Sequence, residues 1–233
     1  MGVYEMRKIG LVVVATAIVT LPAMATDMVV EAPGYNTDPG FDWSGFYAGL
    51  SAGYGSGNTR SVSNGSGIVT DVPLNGGLFG ATVGANAQFD AFVLGAEGDL
   101  MWSGLNGSAV CVGTPAFTCN ANVEWLGSLR ARAGVALDSV LLFATGGLAV
   151  AGGRGTVTPP ATGITNAFSD TYVGWTLGAG VEVAVTEAVS VKAEYGYYDL
   201  GSRTAPVGTL SGLQTVGISP VVHVVKAGLN FHF

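Results

Sequence analysis

In 233 residues the chain carries 9 Lys or Arg against 16 Asp or Glu, a formal charge of −7, and that acidic balance excludes a nucleic-acid partner. Apolar residues make up 48% and mean hydropathy is +0.46, yet beyond residue 25 no run approaches the ~18 uncharged apolar residues of a transmembrane helix. Gly, at 37 residues, is too frequent for a helical protein, and only 11% of the chain is charged, so the composition points to alternating strands whose apolar half faces lipid.

At the N-terminus, Arg7 and Lys8 precede an apolar run from Ile9 to Leu21, and Ala23-Met24-Ala25 is a small-x-small cleavage pattern. Residues 1–25 therefore read as a secretory signal cut after Ala25. Glu5 is out of place in a region that should be positive, and Met6 would be the cleaner start.

Period-two alternation then marks eight segments. The first, about Gly45 to Gly55, sets Phe46, Ala48, Leu50, Ala52 and Tyr54 against Gly and Ser. The second, Leu78 to Asp90, has Phe79, Val83 and Phe89 on its apolar face, and the third, Phe92 to Ser103, sets Leu94, Leu100 and Trp102 against Glu97 and Asp99. In the fourth, Trp125 to Leu137, Leu129, Ala131, Ala133 and Val135 oppose Arg130 and Arg132. The fifth, Val140 to Val150, is apolar on both faces and its phase stays open. The sixth, Tyr172 to Ala184, opposes Val173, Trp175 and Leu177 to Glu182; the seventh is Val189 to Leu200, and the eighth is the C-terminus.

Connections alternate in length. Short turns are expected at Asp90-Ala91, Asp138-Ser139 and Val185 to Ala188, and long outer loops at Ser56 to Gly77, Gly104 to Glu124, Ala151 to Thr171 and Gly201 to Pro220. That alternation is what a transmembrane barrel shows. Aromatics fall into two girdles: Phe46, Phe89, Phe92, Phe231 and Phe233 near the turns, and Tyr54, Phe79, Trp102, Trp125, Trp175 and Tyr197 near the loops. Phe92 and Trp102 are ten residues apart, which at ~3.3 Å rise and ~40° tilt is roughly 25 Å, the height of an apolar band. The fold class expected is all-β, an eight-stranded antiparallel up-and-down transmembrane β-barrel.

The charges within strands share the face opposite the aromatics: Glu97, Asp99, Glu182 and Glu194 against Arg130, Arg132, Lys192 and Lys226. Depth counted from the turns pairs Asp99 with Arg130, Glu97 with Arg132, and Glu194 with Lys192 and Lys226. Two readings follow, a selectivity filter or proton path and a salt-bridge plug, the second because eight strands leave an interior just filled by side chains. Gly49, Gly53, Gly80, Gly84, Gly178, Gly180 and Gly228 on that face would free volume for water.

Cys111 and Cys119 lie in the second long loop, and two thiols close in sequence in an exported chain are expected to form a disulfide. Metal binding is the weaker alternative, as neither His nor a second Cys pair accompanies them. Gly53-x-Gly55-x-Gly57 is an alternating strand and no phosphate loop. An outer-leaflet enzyme needs a His/Ser pair; His223 lies near that height but no Ser stands beside it in sequence. Neither an enzyme nor a cofactor is expected.

The chain closes on Val225, Ala227, Leu229, Phe231 and Phe233, alternating with Lys226, Gly228, Asn230 and His232. Leu229, Phe231 and Phe233 resemble the assembly signal of bacterial outer-membrane barrels. The partners implied are the barrel-assembly machinery during insertion, then outer-membrane lipid and lipopolysaccharide.

Taken together, the blocks Asp42 to Gly55, Trp125 to Gly134, Leu142 to Ala149, Gly174 to Glu182, Lys192 to Gly201 and Val225 to Phe233 resemble the small opacity-type, porin-family outer-membrane proteins of alphaproteobacteria. The resemblance covers the whole mature chain and implies a lead-in at 26–41, a barrel at 42–233, and an abundant surface antigen of the cell envelope. It also implies haem or host-surface binding for some members; the Cys-bearing loop departs from the pattern. The function expected is a structural, surface-exposed envelope component whose loops are the interaction surface. A narrow porin-like channel for small solutes and a haem- or host-surface-binding barrel are the alternatives, and no extracellular ligand is named by the sequence.

Overall fold

A strand whose side chains alternate between two solvents must be paired on both edges, because lipid offers its backbone no hydrogen bonds. The computed structural model meets that demand by closure. It describes residues 40–63, 69–110, 118–158, 166–209 and 212–233; the expected signal at 1–25 and the lead-in up to residue 39 lie outside the described residues. Strands β1 (Gly45–Ser63), β2 (Val69–Phe89), β3 (Phe92–Val110), β4 (Thr118–Leu137), β5 (Val140–Thr158), β6 (Asn166–Thr186), β7 (Val189–Asp199), β8 (Arg203–Thr209) and β9 (Gly212–His232) follow in chain order. β1 to β7 pair antiparallel in chain order, β7 and β8 each pair antiparallel with β9, and β1 with β9 closes the ring.

The ring has eight staves, because β7 and β8 together form the seventh. Both pair with β9, from Val189↔Phe231 to Asp199↔Val221 and then from Arg203↔Ile218 to Thr209↔Gly212. Between them the chain leaves the ladder at Leu200 to Ser202, where the Asp199 carboxylate accepts from Gly201 N–H at 2.9 Å. The β6–β7 ladder stops at Trp175↔Asp199, so among the described residues the outer edge of β6, Asn166 to Gly174, pairs only with β5. That seam is blunted on both sides: Asp170 accepts from the Thr171 N–H at 2.8 Å, and Pro206 in β8 has no N–H to offer.

The turns at Asp90-Ala91 and Asp138-Ser139 stand where they are expected, with φ of 53° at each Asp, the left-handed setting of a two-residue hairpin. The third is shorter than expected, since β6 runs through Thr186 and leaves Glu187-Ala188. The long outer loops are corrected more strongly, for most of each is strand. β1 and β2 stay paired to Val62↔Val69, β3 and β4 to Val110↔Thr118, and β5 and β6 to Val157↔Asn166. Strands of 19 to 21 residues on most staves are about twice the 9–11 residues that cross a bilayer.

The reason is an inversion of polarity along each strand. Below the outer girdle the apolar side chains Phe46, Leu50, Val83, Leu129, Leu148, Leu177 and Phe231 point outward and are exposed. Above it the outward positions are Ser56, Asn58, Arg60, Asp71, Asn106 and Asn122, while Val72, Leu74, Leu105, Val123, Tyr172, Leu200, Ile218 and Val222 fill the inside. Where the outside is water, burial of apolar surface favours an apolar interior; where it is lipid, outward apolar groups cost nothing. The open phase of β5 is resolved by the same rule: Leu141, Phe143, Thr145 and Ala149 are inside, Leu142 and Leu148 outside.

Candidate functional site

The barrel interior has three levels. The outermost is the apolar core just described, which starts at the girdle with Leu78, Met101, Leu126 and Tyr198. The middle level holds all eight charges picked out in the sequence, every one buried. Arg130 on β4 donates to Glu97 and Glu194, to Asp99 Oδ2 at 2.8 Å and to Thr145 Oγ1 at 3.1 Å. Lys192 donates to Glu97 Oε2 at 2.7 Å and lies 3.6 Å from Glu194; Lys226 stands 3.7 Å from Asp99 and 3.5 Å from Glu194. Four carboxylates and four cations leave the level formally neutral, and the multiple charge-assisted bonds offset a large desolvation cost.

Asp99 with Arg130 and Glu194 with Lys192 and Lys226 stand together as counted along the strands; the departure is at Arg132. Arg132 donates to Glu182, while its distance to Glu97 is 4.0 Å; Glu97 stands opposite Arg130 in the β3–β4 register. The Arg132 guanidinium also covers the Phe143 ring at 4.0 Å. Tyr47 joins the two guanidinium groups, its hydroxyl donating to Glu97 at 2.9 Å and accepting from Arg132 at 3.1 Å. The inward glycines give room to neighbouring side chains: a Cβ on Gly84 would lie 2.3 Å from Tyr47 Cζ, and one on Gly180 would lie 2.7 Å from Phe143 Cζ.

The innermost level was not foreseen. Gly45, at φ 121°, turns the chain from β1 so that residues 40–44 cross the periplasmic mouth to the β4–β5 turn, where Gly40 packs beside Asp138. Trp43 is fully buried with Val93, Leu141 and Phe143, and Phe41 packs on them. Gln88 anchors this strap, accepting from Trp43 N–H at 2.9 Å and donating its own N–H to Ser44 Oγ at 3.0 Å. Behind it, His232 Nε2 lies 2.9 Å from Ser190 Oγ, and Ser190 donates to Glu182 Oε1, which also accepts from Asn230 at 2.6 Å. Period-two counting places His232 inward, on the face of Lys226, but its meeting with Ser190 depends on the β7–β9 register, Ser190↔Asn230. The constellation is walled by Phe41, Trp43 and Tyr47, whose rings stand 5.4, 5.8 and 5.6 Å from the imidazole.

Of the remaining sites, Cys119 pairs in register with Ala109 and Val157 and is not a free thiol; Cys111 and Ala25 lie outside the described residues. Leu229, Phe231 and Phe233 are exposed on the lipid-facing side. Phe233 O accepts from Phe46 N–H at 3.3 Å and Phe233 N–H donates to Phe46 O at 3.0 Å, closing the ring at its last residue.

A model of the outer membrane protein beta-barrel domain matches residues 11–233. The 31 kDa outer-membrane immunogenic protein of Brucella melitensis is 34% identical, covering 98% of this chain and 100% of that protein. The 25 kDa outer-membrane immunogenic protein of Brucella abortus is 31% identical, covering 83% and 85%. Among solved structures, the outer membrane protein OprG of Pseudomonas aeruginosa superposes with a TM-score of 0.51 at 14% identity, over 83% of this chain and 99% of that one, a likeness of fold.

Proposed function

Because the chain belongs to the outer membrane protein beta-barrel domain family, and its place is the bacterial outer membrane, we propose that it is a structural, surface-exposed envelope component. The barrel is the anchor, and the strand ends and loops beyond the outer girdle are the interaction surface. The observation that carries this reading is the filled lumen: the strap at Trp43, the charge level around Arg130 and the apolar core around Leu105 and Val222 follow one another along one axis. A solute crossing it would have to part eight coupled charges and then an apolar core, so the channel alternative has less support. The strands also extend from Tyr54 to Ser63 beyond the girdle, a further ~20 Å at ordinary rise and tilt. They carry the described strand ends clear of the lipid, which suits the immunogenic character in the names of the Brucella proteins.

Planar-bilayer recording of the folded, purified protein tests the reading. The expected result is no unitary conductance steps, together with antibody access on intact cells to an epitope inserted after Ser108. Regular steps from a preparation that is folded would favour the porin-like channel.

A further inference from the structure

The outer girdle is uneven in its chemistry. On β2 and β3, Phe79 and Trp102 stack at 5.6 Å, an aromatic pair of the ordinary interfacial kind. On β6, β7 and β9 the rings form a continuous cluster that includes an imidazole. Trp175 and Tyr197 are 5.3 Å apart, Tyr197 and His223 5.2 Å, and Tyr195 and His223 6.1 Å. The Tyr195 hydroxyl lies 2.6 Å from His223 Nδ1. His223 is exposed and occupies the lipid-facing row that continues through Val225, Leu229 and Phe231.

An imidazole in that row would be costly against acyl chains. It stands ten residues from Phe233, which at ordinary rise and tilt is roughly 25 Å, the far edge of the apolar band. His223 therefore meets lipid headgroups. In the tautomer whose Nδ1 accepts from the phenol, the ring proton is on Nε2, which is then a donor pointing away from the tyrosine. Directly across in register lies Ser56, and four residues further out on the same strand Arg60 pairs with Ser219; Arg60 is exposed and stands about 13 Å beyond Ser56 along the strand.

We propose that Trp175, Tyr195, Tyr197 and His223 form a seat on the outer wall for the phosphorylated saccharide headgroup of an outer-leaflet glycolipid. His223 Nε2 donates to one phosphate, the aromatic faces cover the sugar, and Arg60 serves a second phosphate on the same headgroup. Tyr195 is a positioning residue, holding the imidazole through Nδ1. Phosphate is the acceptor that charge-assisted donors bind best at this depth, and Trp and Tyr present an apolar body with a polar tip where one end is wet. The seat rests on the surface-anchor reading only for the barrel's orientation in the outer membrane.

Native mass spectrometry of the mature protein in nanodiscs holding equal amounts of bis-phosphorylated lipid A and phosphatidylglycerol tests it. The folded protein should retain lipid A in preference. His223→Ala should lower that retention about tenfold, Tyr195→Phe should lower it less, and His223→Arg, which places an N–H donor at the same site, should recover it. Millimolar inorganic phosphate should not displace the lipid. The proposal is overturned if His223→Ala and Trp175→Leu retain lipid A as the parent does, if phosphatidylglycerol is held equally well, or if inorganic phosphate alone competes. Folding is read separately from the difference in gel migration between unboiled and boiled samples, so a folded barrel that retains no lipid A sinks the seat and leaves the anchor reading standing. Tyr195→Phe, which removes one hydroxyl, keeps the question decidable if His223→Ala fails to fold.

Discussion

Arg130 on β4 and Glu194 on β7 are joined by a direct charge-assisted hydrogen bond across the lumen, three staves apart in the ring order. The bond ties two non-adjacent walls of the barrel together, and Glu97 and Asp99 share the same guanidinium. A cross-strut of this kind makes the charge level a part of the wall.

Arg130→Ala should therefore destabilise the barrel by about 3–5 kcal/mol, since it leaves buried carboxylates uncompensated. Arg132→Ala, which frees one carboxylate and the Phe143 face, should cost less. Urea midpoints of the protein folded in detergent, read by tryptophan fluorescence, measure both. Equal midpoints for parent and Arg130→Ala would mean that water has already solvated the cluster.

Trp43→Ala should open the periplasmic mouth. The lost burial of one aromatic costs about 3–5 kcal/mol, and Ser190, fully buried behind the strap, should become reachable. A Ser190→Cys protein should react slowly with a membrane-impermeant thiol reagent when Trp43 is present and quickly when it is replaced by Ala. The same rate in both would show that the strap is no seal.

The pairing of Cys111 with Cys119 is a proposal that rests on their spacing and on the oxidising compartment. Peptide mapping of non-reduced protein from fresh outer membranes should recover the two cysteines in one linked species. A closed loop of this size contributes about 2 to 3 kcal/mol in the entropy model, so Cys111→Ser should leave the barrel folded. Recovery of two unmodified thiols would refute the pairing.

Phe233 is 78% exposed, so little packing is lost with it, yet its backbone closes the ring onto Phe46. If it is also the residue that the assembly machinery reads, its deletion should impair insertion far more than Phe79→Ala, which touches only the outer girdle. Membrane fractionation should find the deletion variant in the periplasm or degraded. A Phe233→Ala variant separates the causes: it keeps the backbone bonds, and it should fail as the deletion does. Normal outer-membrane levels for both would reduce Phe233 to a girdle residue.

Much of this architecture is legible in a single strand's pattern. Leu94, Leu100 and Trp102 against Glu97 and Asp99 already tell lipid face from lumen, because a strand turns successive side chains to opposite faces, and Asp90-Ala91 and Asp138-Ser139 announce their turns. The same counting failed beyond Tyr54. There Ser56, Asn58 and Arg60 read as loop, since a polar outward row lacks the apolar signal of a membrane strand, and the matching inward row of Val72 and Leu74 lies on a different stave.

What the sequence by itself determined was membership of a membrane β-barrel, the inward face of each charge, the short turns and the lipid-facing end at Phe233, all consequences of local period and composition. Tertiary structure alone decided that Arg132 meets Glu182 while Glu97 is shared by Arg130 and Lys192, that Gly84 yields its space to Tyr47, and that Trp43 returns across the mouth. Side chains as long as arginine reach across a narrow lumen, where their partners depend on the stagger between staves. That stagger is set when the ring closes between β1 and β9, an event with no local signature in the chain.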